Sequence, residues 1–142
     1  MLRLYSNEYI LIFVSIFLLG NFSPAYAKNP KFNYMMECQG CHSSDGRGQS
    51  DVIPTLKDHM AKFLTVPGGR EFLVQVPGAA QAPLTDAETA DVLNYMLHLF
   101  GPKAIAEKYA PFTEAEVAEL RKSPLTEVKQ KRAALVKLIH QK

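Results

Sequence analysis

At 142 residues, 47% of them hydrophobic and 21% charged, the chain has the composition of a globular protein with room for one small domain. Its net charge of +2, with no interleaving of basic and aromatic residues, gives nucleic-acid binding no support. The charge is uneven, however. Residues 28–100 hold six Lys/Arg against eight Asp/Glu, and residues 101–142 hold nine against five. A basic tail of this kind is either an interaction surface or a solvated helix face.

Residues 1–27 read as an export signal. Arg3 gives a positive start, residues 10–19 form the apolar stretch, and Ala25-Tyr26-Ala27 is a small-residue cleavage pattern before Lys28. A hydrocarbon core takes about 20 apolar residues to cross, so the segment serves as a membrane anchor only if it is left uncleaved. Its removal leaves a mature chain of one small domain with limited core area.

A first helix is expected over residues 32–41. It leads into Cys38-Gln39-Gly40-Cys41-His42, and Cys-x-x-Cys-His is the attachment signature of a covalent c-type haem. Helical residues three apart share a face. Cys38 and Cys41 can therefore reach two vinyl-derived edges of one porphyrin, and His42 can point a neutral imidazole nitrogen at the iron. Phe32, Tyr34, Met35 and Met36 are expected around the haem edge. Other chemistries fit these residues less well. A thioredoxin-like pair needs a βαβ setting. A structural zinc site needs four ligands, and His42, His59, His98 and His140 are not paired at finger spacing. A disulfide across two residues would be strained.

Residues 43–50, rich in Gly, Ser and Asp, form a loop, followed by an ordered turn at Pro54-Thr55-Leu56. One or two helical turns are expected over residues 58–64, broken by Val66-Pro67-Gly68-Gly69. Periodicity does not choose between helix and extended chain for residues 69–76, and Pro77-Gly78 opens another loop. Thr85-Asp86-Ala87-Glu88 is a capping box. The helix after it carries Ala90, Leu93, Met96, Leu97 and Phe100 on its apolar side and ends at Gly101-Pro102. Thr113 to Glu116 repeats the capping pattern before Val117 and Leu120. Ser123-Pro124 should start a last helix, whose apolar stripe is Leu125, Val128, Leu135, Leu138 and Ile139. Alternating strand patterns are absent, so the expected fold class is all-α. The expected division is a signal peptide over 1–27, a haem domain over 28–100 and a helical extension over 101–142.

Over residues 30 to 100 the chain resembles a class I c-type cytochrome, a small helical domain around one covalent haem. Tyr34, four residues before Cys38, stands where that family has an aromatic. Pro54, twelve residues after His42, stands where it has a proline. The resemblance implies that the Pro54 carbonyl accepts a hydrogen bond from His42, fixing the ring and raising its basicity. It also implies that Leu56 is an apolar haem contact and that the helix of residues 86–100, with Tyr95, crosses the first helix. Two positions depart from the pattern. Pro30 replaces a helix-crossing glycine. The loop of residues 76–83, where the family usually has a methionine as sixth iron ligand, contains neither methionine nor histidine.

The candidates for the sixth position are Met60, then His59, then Met96 or His98, with ordinary packing as the alternative role for each methionine. A vacant or water-bound position is the remaining possibility. The choice sets the potential, since methionine opposite histidine raises it. The expected function is that of a periplasmic one-electron carrier with one haem c per chain and no catalytic residues of its own. Its partners would be a periplasmic dehydrogenase or oxidase, met in small transient encounters. The alternatives are a haem subunit of a dehydrogenase complex or a haem protein binding a small ligand at an open iron. Lys129, Lys131, Arg132 and Lys137 lie along the last helix, which either covers the core or steers the protein to an acidic partner.

Overall fold

The computed structural model describes residues 29–49 and 52–141. The export signal expected over residues 1–27 lies outside the described residues. The described chain is helical, and its only β pairing is an isolated antiparallel bridge between Gln49 and Ile53.

Helix α1, Pro30–Asn33, starts two residues before the expected position. The Asn29 side chain accepts from the Lys31 N–H, and Pro30 occupies the first turn, where its missing N–H costs nothing. The helix continues as a π-helical stretch, Tyr34–Cys38, in which the Gln39 N–H reaches back five residues to the Tyr34 carbonyl. Such wide turns concentrate at functional sites. Helix α2, Gln39–His42, completes the attachment segment.

The chain then loops to a 3-10 helix, Met60–Thr65, and to α3, Gly69–Gln75, which resolves the ambiguity of residues 69–76 in favour of helix. The segment read as a loop from Pro77 contains one helical turn, α4, Pro77–Ala80, again with proline in its first turn. Helix α5, Asp86–Phe100, is the longest among the described residues and has the full capping box: Thr85 accepts from the Glu88 N–H, and Glu88 accepts from the Thr85 N–H. A turn that the sequence did not announce, α6, Lys103–Ala106, follows Gly101-Pro102. Helix α7, Glu114–Leu120, is capped by Thr113.

The last helix, α8, runs Val128–His140, later than the start expected at Pro124. The Leu125 N–H bonds instead to the Gln75 carbonyl at 2.9 Å, so this stretch is tied to the end of α3.

α1 packs across α5. At that crossing the buried Tyr34 ring meets Phe100 and Tyr95, with centroids 5.2 and 6.3 Å away. The extension is stitched onto the core by polar contacts. Asn94 on α5 bonds both the N–H and the carbonyl of Phe112. Arg70 on α3 pairs with Glu116, donates to the Ala110 and Pro111 carbonyls, and lies 4.1 Å from the Phe112 ring centroid. Arg121, at the end of α7, donates to the carbonyls of Ala80, Ala82 and Leu84 and to Asp86.

Candidate haem site

The attachment segment opens into a cavity of about 530 Å³, within the range of about 300–1,000 Å³ usual for cofactor sites. Cys38, Cys41, His42, Pro54, Leu56 and Met60, all singled out in the sequence, line it. The rest of the wall is mostly apolar. Phe63 and Phe72, stacked with centroids 5.0 Å apart, contribute to it, as do Leu73, Val92 and Leu93. Val76, Ala79 and Ala82 supply aliphatic surface from the segment around α4.

His42 is partly buried, and its Nδ1 lies 3.2 Å from the Pro54 carbonyl oxygen. A carbonyl only accepts, so Nδ1 carries the proton and Nε2 presents its lone pair. Burial lowers the His42 pKa from its ordinary value, and the bond to Pro54 opposes that only in part. The imidazole is thus held in its neutral, metal-binding form.

Loop geometry brings the Pro54 carbonyl to the ring nitrogen. Gly48 adopts a left-handed conformation, φ 75°, and a Cβ there would stand 2.3 Å from the Ile53 carbonyl oxygen, so only glycine lets the two strands of the loop close. The Gly48 N–H bonds back to the His42 carbonyl, and the Gly46 carbonyl accepts from the Leu56 N–H and the Thr55 hydroxyl.

Cys38 is partly buried, Cys41 is exposed, and neither is in a disulfide. Burial, with a smaller contribution from Glu37 and then Cys41, pushes the free Cys38 thiol up to about 11. Both sulfurs border the same apolar space as the imidazole. Two thiols, one oriented neutral imidazole and a largely carbon-lined cavity are the donor set that a covalent haem c requires, and the residues present fit that group.

The structure separates the candidates for the sixth iron ligand. Met60, 3% exposed, and Met96, 6% exposed, both line the cavity. His59 and His98 are exposed and do not, and His59 Nδ1 instead lies 2.8 Å from the Lys57 carbonyl oxygen. The apolar group expected around the haem edge is corrected. Phe32, Met35 and Met36 are exposed and stand away from the cavity, because that face of the helix turns to solvent. Tyr34 points the other way, into the helix crossing, and donates its hydroxyl to the Ser43 carbonyl.

Sequence reasoning missed Arg121, whose partners lie 35 to 41 residues away. Only its position late in a capped helix marked it. It also did not connect Lys129 and Arg132 on α8 with the cavity that they line.

Comparison with known proteins agrees with the donor set. The family model described as Cytochrome c matches residues 27–100. A cytochrome c-552 of Thermus thermophilus is 32% identical over 131 residues, covering 80% of this chain and 87% of that protein. A second Thermus thermophilus cytochrome c-552 is 33% identical over 108 residues, covering 63% of this chain and 82% of its own length. With its thioether-forming pair, its carbonyl-anchored histidine and its helical pocket, the chain belongs to the cytochrome c family as a class I c-type cytochrome with covalently bound haem c.

Proposed function

We propose that this haem electron carrier works in the periplasm after export through residues 1–27, passing single electrons between a dehydrogenase and an oxidase or similar redox proteins. Bound haem supplies the one-electron iron couple. The chain supplies attachment, an oriented axial imidazole and a low-dielectric pocket. The observation that carries the reading is the cavity that unites Cys38, Cys41 and the Pro54-anchored His42. Its rim is accessible: Cys41 and Val52 line the cavity and are also exposed, which leaves the attached edge open to a partner. Redox encounters of this kind bury less than about 1,200 Å².

The test is voltammetry and optical spectroscopy on protein matured in an exporting host. A reversible one-electron couple, with haem in the periplasmic fraction, is the expected result. Absence of a reversible couple, or haem protein retained in the cytoplasm, overturns it.

One observation favours a second reading, that of an iron open to a small ligand. Among the described residues beyond the attachment motif, the sulfur- or imidazole-bearing side chains that line the cavity are Met60 and Met96, and residues 76–83 contain neither methionine nor histidine. Carbon monoxide added to the reduced protein separates the cases. If Met60 is the axial ligand, the wild type stays low-spin and inert to the gas, and Met60→Leu becomes reactive. If the position is open, the wild type binds the gas directly.

A further inference from the structure

Helix α8 buries one face, formed by Leu135 with the partly buried Val128, Val136 and Ile139. Helical spacing places residue 132 on that same face, four after Val128 and three before Leu135. The residue there is Arg132. It interrupts the apolar stripe, is partly buried, and lines the haem cavity together with Lys129.

A guanidinium partly withdrawn from water in such a place is stabilised by an anion. Among the described residues the other two partly buried arginines have one: Arg70 pairs with Glu116, and Arg121 with Asp86. Arg132 pairs with no carboxylate among the described residues. The group that belongs in this cavity carries two carboxylates of its own, the haem propionates, on the side of the porphyrin away from the vinyl-derived thioethers. α8 reaches the cavity by packing on the 3-10 helix and α3, whereas the cysteines come from the π-helical stretch and α2. The cations and the thiols therefore enter from different elements.

We propose that Arg132, assisted by Lys129, binds the haem propionates, so that the C-terminal extension completes the cofactor site. The planar fork of Arg132 suits bidentate pairing with a carboxylate, and Lys129, which is more exposed, adds a point charge. The match to the family model ends at residue 100, so Lys129 and Arg132 lie beyond the segment that it covers. The inference rests on the bound haem and not on the periplasmic-carrier reading, which is decided by reversibility and location and not by the value of the potential.

The test compares full-length holoproteins carrying R132K, R132Q and R132M with the wild type, at one pH and low ionic strength. A cation near the haem disfavours the more positive ferric state. The midpoint potential should therefore fall in R132Q and R132M, fall further in K129Q/R132Q, and stay near wild type in R132K. R132M keeps the packing volume, so a purely structural arginine would leave its potential in place. Wild-type potentials in both R132Q and R132M overturn the proposal. If the variants do not mature, the resonance Raman propionate-bending band of the wild-type holoprotein decides. A position typical of hydrogen-bonded propionate supports the pairing, and the position of free, solvated propionate overturns it.

Discussion

Tyr34 shows how one side chain serves both packing and polarity. Its ring fills the crossing of α1 and α5, and its hydroxyl is satisfied by the Ser43 carbonyl one residue beyond the axial histidine. Burial, followed by the charges of Cys38, Asp45 and Tyr95, pushes its phenol up to about 12. The Cys38 contribution lapses once that sulfur is a thioether, and burial, the largest cause, remains. A raised pKa on an acid means that the folded state prefers the neutral form. The resulting stability is fully present below the ordinary phenol value of about 10 and is lost as pH rises toward about 12. Thermal melts of the holoprotein should be level through neutral pH and fall above about pH 10. Tyr34→Phe should flatten that alkaline fall while lowering neutral-pH stability by about 1 kcal/mol, the net worth of the lost hydrogen bond. An unchanged alkaline profile in Tyr34→Phe would show that another group controls it.

At the scale of elements, the segment from α4 to the start of α5 forms cavity wall without a ligating side chain, and something else must hold its backbone in place. Arg121 does so from α7. Three carbonyls and one carboxylate converge on its guanidinium at 2.8 to 2.9 Å. Its side chain is 16% exposed, so these charge-assisted bonds are only partly screened. Replacing it with methionine keeps most of the stem and deletes the donors. Arg121→Met should cost about 2–3 kcal/mol in denaturant unfolding and raise amide exchange between Gln81 and Asp86. If exchange rises no more there than in α1, the clamp is not what orders the segment. The same logic explains the late start of α8. Pro124 is compatible with a first helical turn, but the Leu125 N–H is engaged by the Gln75 carbonyl, and a long-range bond outweighs a local preference.

At the scale of the whole molecule, the extension is part of the body of the protein. Leu135, 2% exposed, lies beside Gly68 at the turn before α3, and Val128 and Ala133 border the haem cavity. A domain this small has little core to spare, so one buried leucine in the extension counts. Leu135→Ala should destabilise the holoprotein by about 2–4 kcal/mol, the range for a buried leucine truncation. It should also loosen the cover of the haem, measured as faster quenching by a soluble redox reagent. A loss below about 0.5 kcal/mol, typical of surface substitutions, would show that α8 is not integral to the core.

What could be read from the residue order alone was the chemistry that depends on short spacing. The Cys38–His42 motif, the caps at Thr85 and Thr113, the all-α class and, by resemblance, the Pro54–His42 pairing all follow from groups a few residues apart or at a fixed interval along one loop. Backbone geometry over such distances is nearly determined, so the pattern and the contact coincide. The reach of Arg121 across 35 to 41 residues, the seating of α8 on the cavity, and the sorting of Met60 and Met96 from His59 and His98 were decided only by the tertiary structure. Methionine and histidine have no local signal for which way they point, and an arginine on an amphipathic helix reads the same whether it meets water or a buried anion. The difference lies in which distant surface packs against it, and only the folded chain brings those surfaces together.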